Sequence, residues 1–225
     1  MRLVRPVRSV IFDLDGVLLD TEILYTEITR EIVGRFGKTF DWSLKRHMVG
    51  RPAIDSARYL VEALALPIRP EDYLREREAE LERRVPSAGA MPGARELTEA
   101  LRRRGASLAV ATSSSRRLFE LKTSRHGEWF RDAFAAIVTG DDPRVKAGKP
   151  APDIFLRAAA DLGREAAECA VVEDAPAGVA AARAAGMQVV AVPYPGMDRE
   201  PLAEADLLAT SLAELDAETF LGAER

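Results

Sequence analysis

The sequence predicts an α/β protein, a mostly parallel sheet with helices on both faces, interrupted once by a wholly helical insertion. Three observations carry that expectation. Five short apolar runs each stop at polar or turn residues, as buried strands of a parallel sheet do. Helical patterns closed by glycine lie between several of them. One long stretch, from about residue 21 to residue 85, has helical periodicity only.

The predicted strands are 9–12, 107–111, 135–138, 170–172 and 188–192. Between them, Ala94, Leu97 and Leu101 share one helical face and Gly105 follows as a C-cap. Residues 152–162 end at Gly163, and the Ala-rich run 176–185 ends at Gly186. In the insertion, Leu24, Ile28, Ile32 and Phe36 recur every fourth residue before Gly37. Ile54, Ala57, Leu60, Val61 and Leu64 form a second apolar face. Residues 71–85 are highly charged, with Tyr73, Leu74, Leu81 and Val85 as their thin apolar side. Pro86, Gly89, Pro92 and Gly93 mark a linker. The expected division is a core of 1–19 and 88–225 and a helical insertion of 20–87.

Composition narrows the function classes. The 225 residues are 47% hydrophobic and 30% charged, ordinary for a soluble globular protein. A formal net charge of -4 argues against broad nucleic-acid binding. The arginines of 75–84 and 102–104 fall on exposed helix faces, the former interleaved with glutamates. Cys169 is the single cysteine, so no intramolecular disulfide forms and a reducing compartment is expected. The opening MRLVRPVRSVIFDLDG makes a poor signal peptide, and no apolar run approaches the ~20 residues that span a bilayer. A cytoplasmic monomer without membrane or nucleic-acid partners is the resulting expectation.

In parallel α/β sheets, ligands bind beyond the carboxyl ends of the strands. There the sequence places Asp13 and Asp15, then 112–115, then 140–142, then Glu173 and Asp174. An aspartate ending a strand is more often a turn former or a cap, and a serine run more often an N-cap. Here four such clusters share one edge. Carboxylates held together repel unless a cation sits among them, and hard oxygen ligands suit Mg2+. Neither His47 nor His126 has a partner at zinc-ligand spacing. Thr112 and Ser113 offer hydroxyl and backbone donors to a phosphate, and Lys149 in GKPAPD offers a point charge. One carboxylate can then attack phosphorus, while a second, two residues on, protonates the leaving alkoxide and later activates water.

DLDGV at 13–17, ATS at 111–113, GKPAPD at 148–153 and VVEDAPAG at 171–178 together resemble the four motifs of the haloacid dehalogenase-like superfamily. The resemblance implies a Rossmann-like core with a small α-helical cap, the latter being the insertion. It implies Asp13 as nucleophile and metal ligand, and Asp15 as general acid/base whose backbone carbonyl also meets the metal. Thr112 and Lys149, with Ser113, become phosphate-binding residues. Asp174 becomes the remaining Mg2+ ligand, with Glu173 in or beside the metal's coordination shell. True dehalogenases lack the second aspartate of the first motif, so Asp15 implies phosphoryl transfer. KTSRHGEWF at 122–130, residues 140–155 and residues 173–193 are similar to a subgroup of pseudouridine-5'-monophosphatases, glycerol-3-phosphatases and sugar-phosphate phosphatases. The implied substrate is a small phosphorylated metabolite. The charged residues of 122–126 are read as a structural helix–loop, because they lie far in sequence from the four motifs.

β-Phosphoglucomutase-like enzymes are the alternative, but two of their cap features differ. Their cap histidine falls near Tyr25, and their arginine three residues after a cap glycine falls on Ala53. Arg51, directly after Gly50, and Glu22 are the candidate substrate contacts from the insertion. A non-catalytic module would have lost one of Asp13, Asp15, Lys149 or Asp174, and all four are present.

Overall fold

The computed structural model describes residues 2–48, 53–197 and 199–223. The chain divides into two compact units, Met1–Asp20 with Gly89–Arg225, and Thr21–Ala88.

The larger unit is built on six parallel strands. They are β1 (Ser9–Phe12), β2 (Ser107–Thr112), β3 (Ala136–Thr139), β4 (Cys169–Glu173), β5 (Gln188–Ala191) and β6 (Leu207–Leu208), in the spatial order β3-β2-β1-β4-β5-β6. Five match the apolar runs of the sequence to within a residue or two. The two-residue β6 was not foreseen, because two leucines carry no period to read. Strands β1, β2 and β4 are buried almost throughout, as expected for a sheet covered on both faces. Alternate residues serve the two faces. Ile11, Ala109, Ala111, Val171 and Val189 join a core cluster with Ile154, Phe155, Val179 and Ala182. On the opposite face Phe12 meets Phe134 edge-on, ring centroids 6.1 Å apart.

The helices, in chain order, are α1 (Glu22–Gly34), α2 (Trp42–Lys45), α3 (Ala53–Leu64), α4 (Pro70–Arg84), α5 (Ala94–Arg103), α6 (Arg116–Thr123), α7 (Gly127–Ala133), α8 (Asp153–Asp161), α9 (Pro176–Ala184) and α10 (Ala217–Leu221). The glycines read as stops, Gly37, Gly105, Gly163 and Gly186, all take positive φ beyond a helix end. In the smaller unit α1 and α3 both pack on α4. Their buried apolar residues surround one polar contact, Thr29 Oγ1 to Tyr73 OH at 2.9 Å. The short α2, capped by the Asp41 carboxylate on the Ser43 N–H, was not read from the sequence.

β1 runs into a tight turn and then to the point where the chain leaves the larger unit. Residues 18–20 and 89–91 close that point as a small antiparallel stem. Leu19 bridges Ala90, Asp20 N–H donates to Gly89 O at 2.9 Å, and Met91 N–H donates to Leu18 O at 2.9 Å.

Candidate active site

The strand order puts β1 between β2 and β4, so the carboxyl ends of these three strands form one edge. Register fixes the heights. Phe12 lies opposite both Val110 and Val172, and the Asp13 N–H donates to Val172 O at 3.0 Å. Asp13 therefore emerges level with Glu173. Ligand oxygens of Asp13, Glu173 and Asp174 all lie within 4.8 Å of one another. All three residues are buried.

Lys149, on the loop between β3 and α8, supplies their counter-charge. Its ammonium donates to Asp13 Oδ1 and Glu173 Oε1, both at 2.6 Å, and to Ala111 O at 3.3 Å. The other Glu173 oxygen accepts the N–H groups of Asp174 and Ala175 at 3.0 and 3.1 Å, just ahead of α9. Glu173 thus has both oxygens occupied and holds Lys149 toward Asp13.

Two glycines make room for this packing. Gly16 turns the chain at φ 76°, and a Cβ there would overlap the Asp174 carboxylate. A Cβ on Gly178 would overlap the Glu173 carboxyl group. Both backbones run so close to a carboxylate that no side chain fits.

The electrostatics point one way. Burial pushes the Asp13 carboxyl up, Lys149 pulls it down, and Glu173 and Asp15 push it up again, to about 7. Burial opposes the Lys149 charge, but Asp13 and Glu173 outweigh it and hold the ammonium above the ordinary lysine range. The Asp13 shift comes chiefly from burial, while the Lys149 shift reflects the carboxylates around its ammonium. In formal charges, the four carboxylates Asp13, Asp15, Glu173 and Asp174 exceed the ammoniums of Lys149 and Lys122 by two. A hard divalent cation would match that surplus, and the donor set is all oxygen.

Of the predicted phosphate-binding residues, Thr112 ends β2, is buried, and its Oγ1 accepts the Ser114 N–H at 3.1 Å. Ser113 follows it and is exposed. The following helix, α6, begins at Arg116 and is capped by Ser115. The 140–142 cluster is absorbed by structure. Asp141 Oδ1 accepts from Thr139 Oγ1 and Arg116 N–H, and Asp142 pairs with Arg144. Glu22 is ion-paired at 3.0 Å to Lys45 of its own unit, and Arg51 lies outside the described residues.

The reading of 122–126 as purely structural is corrected at Lys122. Its side chain is 1% exposed and its ammonium donates to Asp15 Oδ1 at 2.6 Å and to Ser114 Oγ at 2.8 Å. Ser114 Oγ in turn donates to Asp15 Oδ2 at 3.1 Å. Sequence distance misled, since 107 residues separate the two ends of the ion pair. One signal was available. Lys122 shares its helical face with the buried Phe119, and a lysine on an apolar face needs a partner.

A profile of haloacid dehalogenase-like hydrolases matches residues 7–186. The chain belongs to that family. It is 46% identical over 219 residues to (DL)-glycerol-3-phosphatase 2 of Arabidopsis thaliana, covering 95% of this chain and 91% of the relative. It is 40% identical over 221 residues to a probable pseudouridine-5'-phosphatase of Drosophila melanogaster, covering 97% and 96%. Among solved structures it is similar to a HAD family hydrolase of Deinococcus radiodurans with bound phosphate and sodium. That match has a TM-score of 0.78 and 28% identity, and covers 93% of each chain. No helix of the described residues is long and apolar enough to cross a membrane.

Proposed function

We propose that this chain is a Mg2+-dependent phosphomonoesterase of small phosphorylated metabolites, working through a phosphorylated Asp13. The observation that carries the reading is the buried Asp13–Lys149–Glu173 bridge beside Asp174, at the carboxyl edge of the sheet. The names of the relatives support a polyol phosphate or a nucleoside monophosphate as substrate class.

Asp13 and Asp174 would hold the metal ion, with the Asp15 carbonyl and Glu173 beside them. When bound, it neutralises charge on the substrate's phosphate. Everything else falls to this chain's own residues. Lys149 and Thr112, with Ser113, orient the phosphate. An Asp13 carboxylate oxygen attacks phosphorus as the ester P–O bond breaks, and the departing oxygen takes a proton from the Asp15 carboxyl. A water oxygen then attacks the same phosphorus, giving its proton back to Asp15, and the Asp13–phosphorus bond breaks to release phosphate.

The test is phosphate release from a panel that includes glycerol 3-phosphate, pseudouridine 5'-phosphate, hexose phosphates and phosphoglycolate, with and without Mg2+. Mg2+-dependent release concentrated on one compound is expected. Absence of release from every compound, with glucose 1-phosphate isomerised to glucose 6-phosphate on addition of a bisphosphate primer, would overturn the reading in favour of a mutase.

A further inference from the structure

The geometry points to Lys122 and Ser114 as positioning residues that set the orientation of the Asp15 carboxyl group for proton transfer to the departing alcohol; the inference rests on the phosphatase reading above. Lys122, Ser114 and Asp15 close a three-membered ring of hydrogen bonds. Lys122 Nζ reaches Asp15 Oδ1 at 2.6 Å and Ser114 Oγ at 2.8 Å, and Ser114 Oγ reaches Asp15 Oδ2 at 3.1 Å. Each carboxylate oxygen is thus fixed by its own donor, and the group can neither rotate about its last bond nor swing away without breaking two contacts.

The clamp is itself anchored. Ser114 N–H donates to Thr112 Oγ1 at 3.1 Å, and Ser114 O accepts the Gly140 N–H at 2.9 Å. Those contacts tie Ser114 to the ends of β2 and β3, at the strand edge that carries the site. Lys122 rises from α6, whose first turn is fixed by the Ser115 cap. A lysine this deeply buried is costly without a charged partner, and the Asp15 side chain that supplies one is itself 25% exposed. Asp15 needs such support. It stands two residues from Asp13, where carboxylate repulsion would otherwise turn it outward.

The experiment compares an alkyl phosphomonoester taken from the panel above with 4-nitrophenyl phosphate, using kcat/KM. That ratio covers binding through release of the first alcohol, so it is blind to the later hydrolysis of phosphorylated Asp13. An alkoxide leaves poorly without a proton, whereas 4-nitrophenolate leaves without help. A misdirected general acid therefore costs the alkyl ester about tenfold to 100-fold and the aryl ester only about threefold or less. Lys122→Met and Ser114→Ala are both expected to show that split, and the double variant less than the product of the two losses. Ser114 is only half-buried, so its variant remains informative where Lys122→Met fails to fold. Crystal structures of the variants give a second readout, an Asp15 carboxyl rotated from its wild-type position. Equal losses on both esters, or an Asp15 carboxyl unmoved in both variants, would overturn the inference while leaving the phosphatase reading intact. A wild type inactive on every ester would instead overturn that reading, and the inference with it.

Discussion

Replacing Asp13 by Asn should abolish turnover and at the same time stabilise the metal-free protein. Burial outweighs Lys149 and carries the Asp13 carboxyl from 3.8 to about 7. A carboxyl whose folded value lies above its unfolded value is one the folded state prefers protonated. The wild type therefore loses stability as pH rises from about 4 to about 7, and the loss then levels off. About three units at ~1.4 kcal/mol each give a penalty near 4 kcal/mol at most. Asn copies the neutral form and avoids it, while its amide oxygen can still accept from Lys149. The assay is denaturant unfolding in EDTA at about pH 4.5 and about pH 8. The variant should exceed the wild type by only about 1 kcal/mol at the lower pH and by about 2–4 kcal/mol at the higher, the latter a rise in Tm of about 10 °C for a chain of this size. Millimolar Mg2+ should close the gap by stabilising the wild type alone. A variant no more stable than the wild type at the higher pH, or a gap that ignores pH, would refute the argument from burial. Retained turnover would refute the role of Asp13 as nucleophile.

Two further predictions rest on the same group of residues. Metal binding must expel the proton that Asp13 carries below about pH 7, so Mg2+ affinity should fall about tenfold per pH unit there. Calorimetry in buffers of different ionisation enthalpy would measure the proton released, and its absence at pH 6 would contradict the assignment. Gly178→Ala should force the Glu173 carboxyl off Lys149, costing about 1–3 kcal/mol in stability and far more in activity. Near-normal kcat in that variant would mean that Glu173 does not hold Lys149 in place.

How much of this was legible in the sequence depended on what kind of signal each residue sends. Asp13 and Asp174 were legible because a parallel sheet brings strand ends to one edge whatever the loops do, so residue type and strand register suffice, whereas Lys149, on a loop, was legible only through GKPAPD. The glycine stops were legible because positive φ after a helix leaves few alternatives. Lys122 was not, because its role depends on the angle at which α6 leaves the sheet, and nothing in its neighbours in sequence encodes that angle. The partner of Glu22 was not legible either, because only the fold of the smaller unit brings Lys45 to its carboxylate. The acidic pair 141–142 read like site residues because a strand-end aspartate looks the same whether it caps a turn or faces a ligand.

The stem at 18–20 and 89–91 has a consequence for how such a chain can change over time. The backbone exits and re-enters across adjoining hydrogen bonds, so the core experiences the intervening 68 residues of Thr21–Ala88 as a closed loop whose ends are already pinned. Loop-closure entropy grows only slowly with length, and here the closure is made by the core's own backbone. Residues of the insertion can be replaced, lengthened or shortened without passing strain to the carboxylates a few residues upstream. The insertion can therefore be reworked at its own rate within one gene while the sheet edge that carries the carboxylates stays fixed.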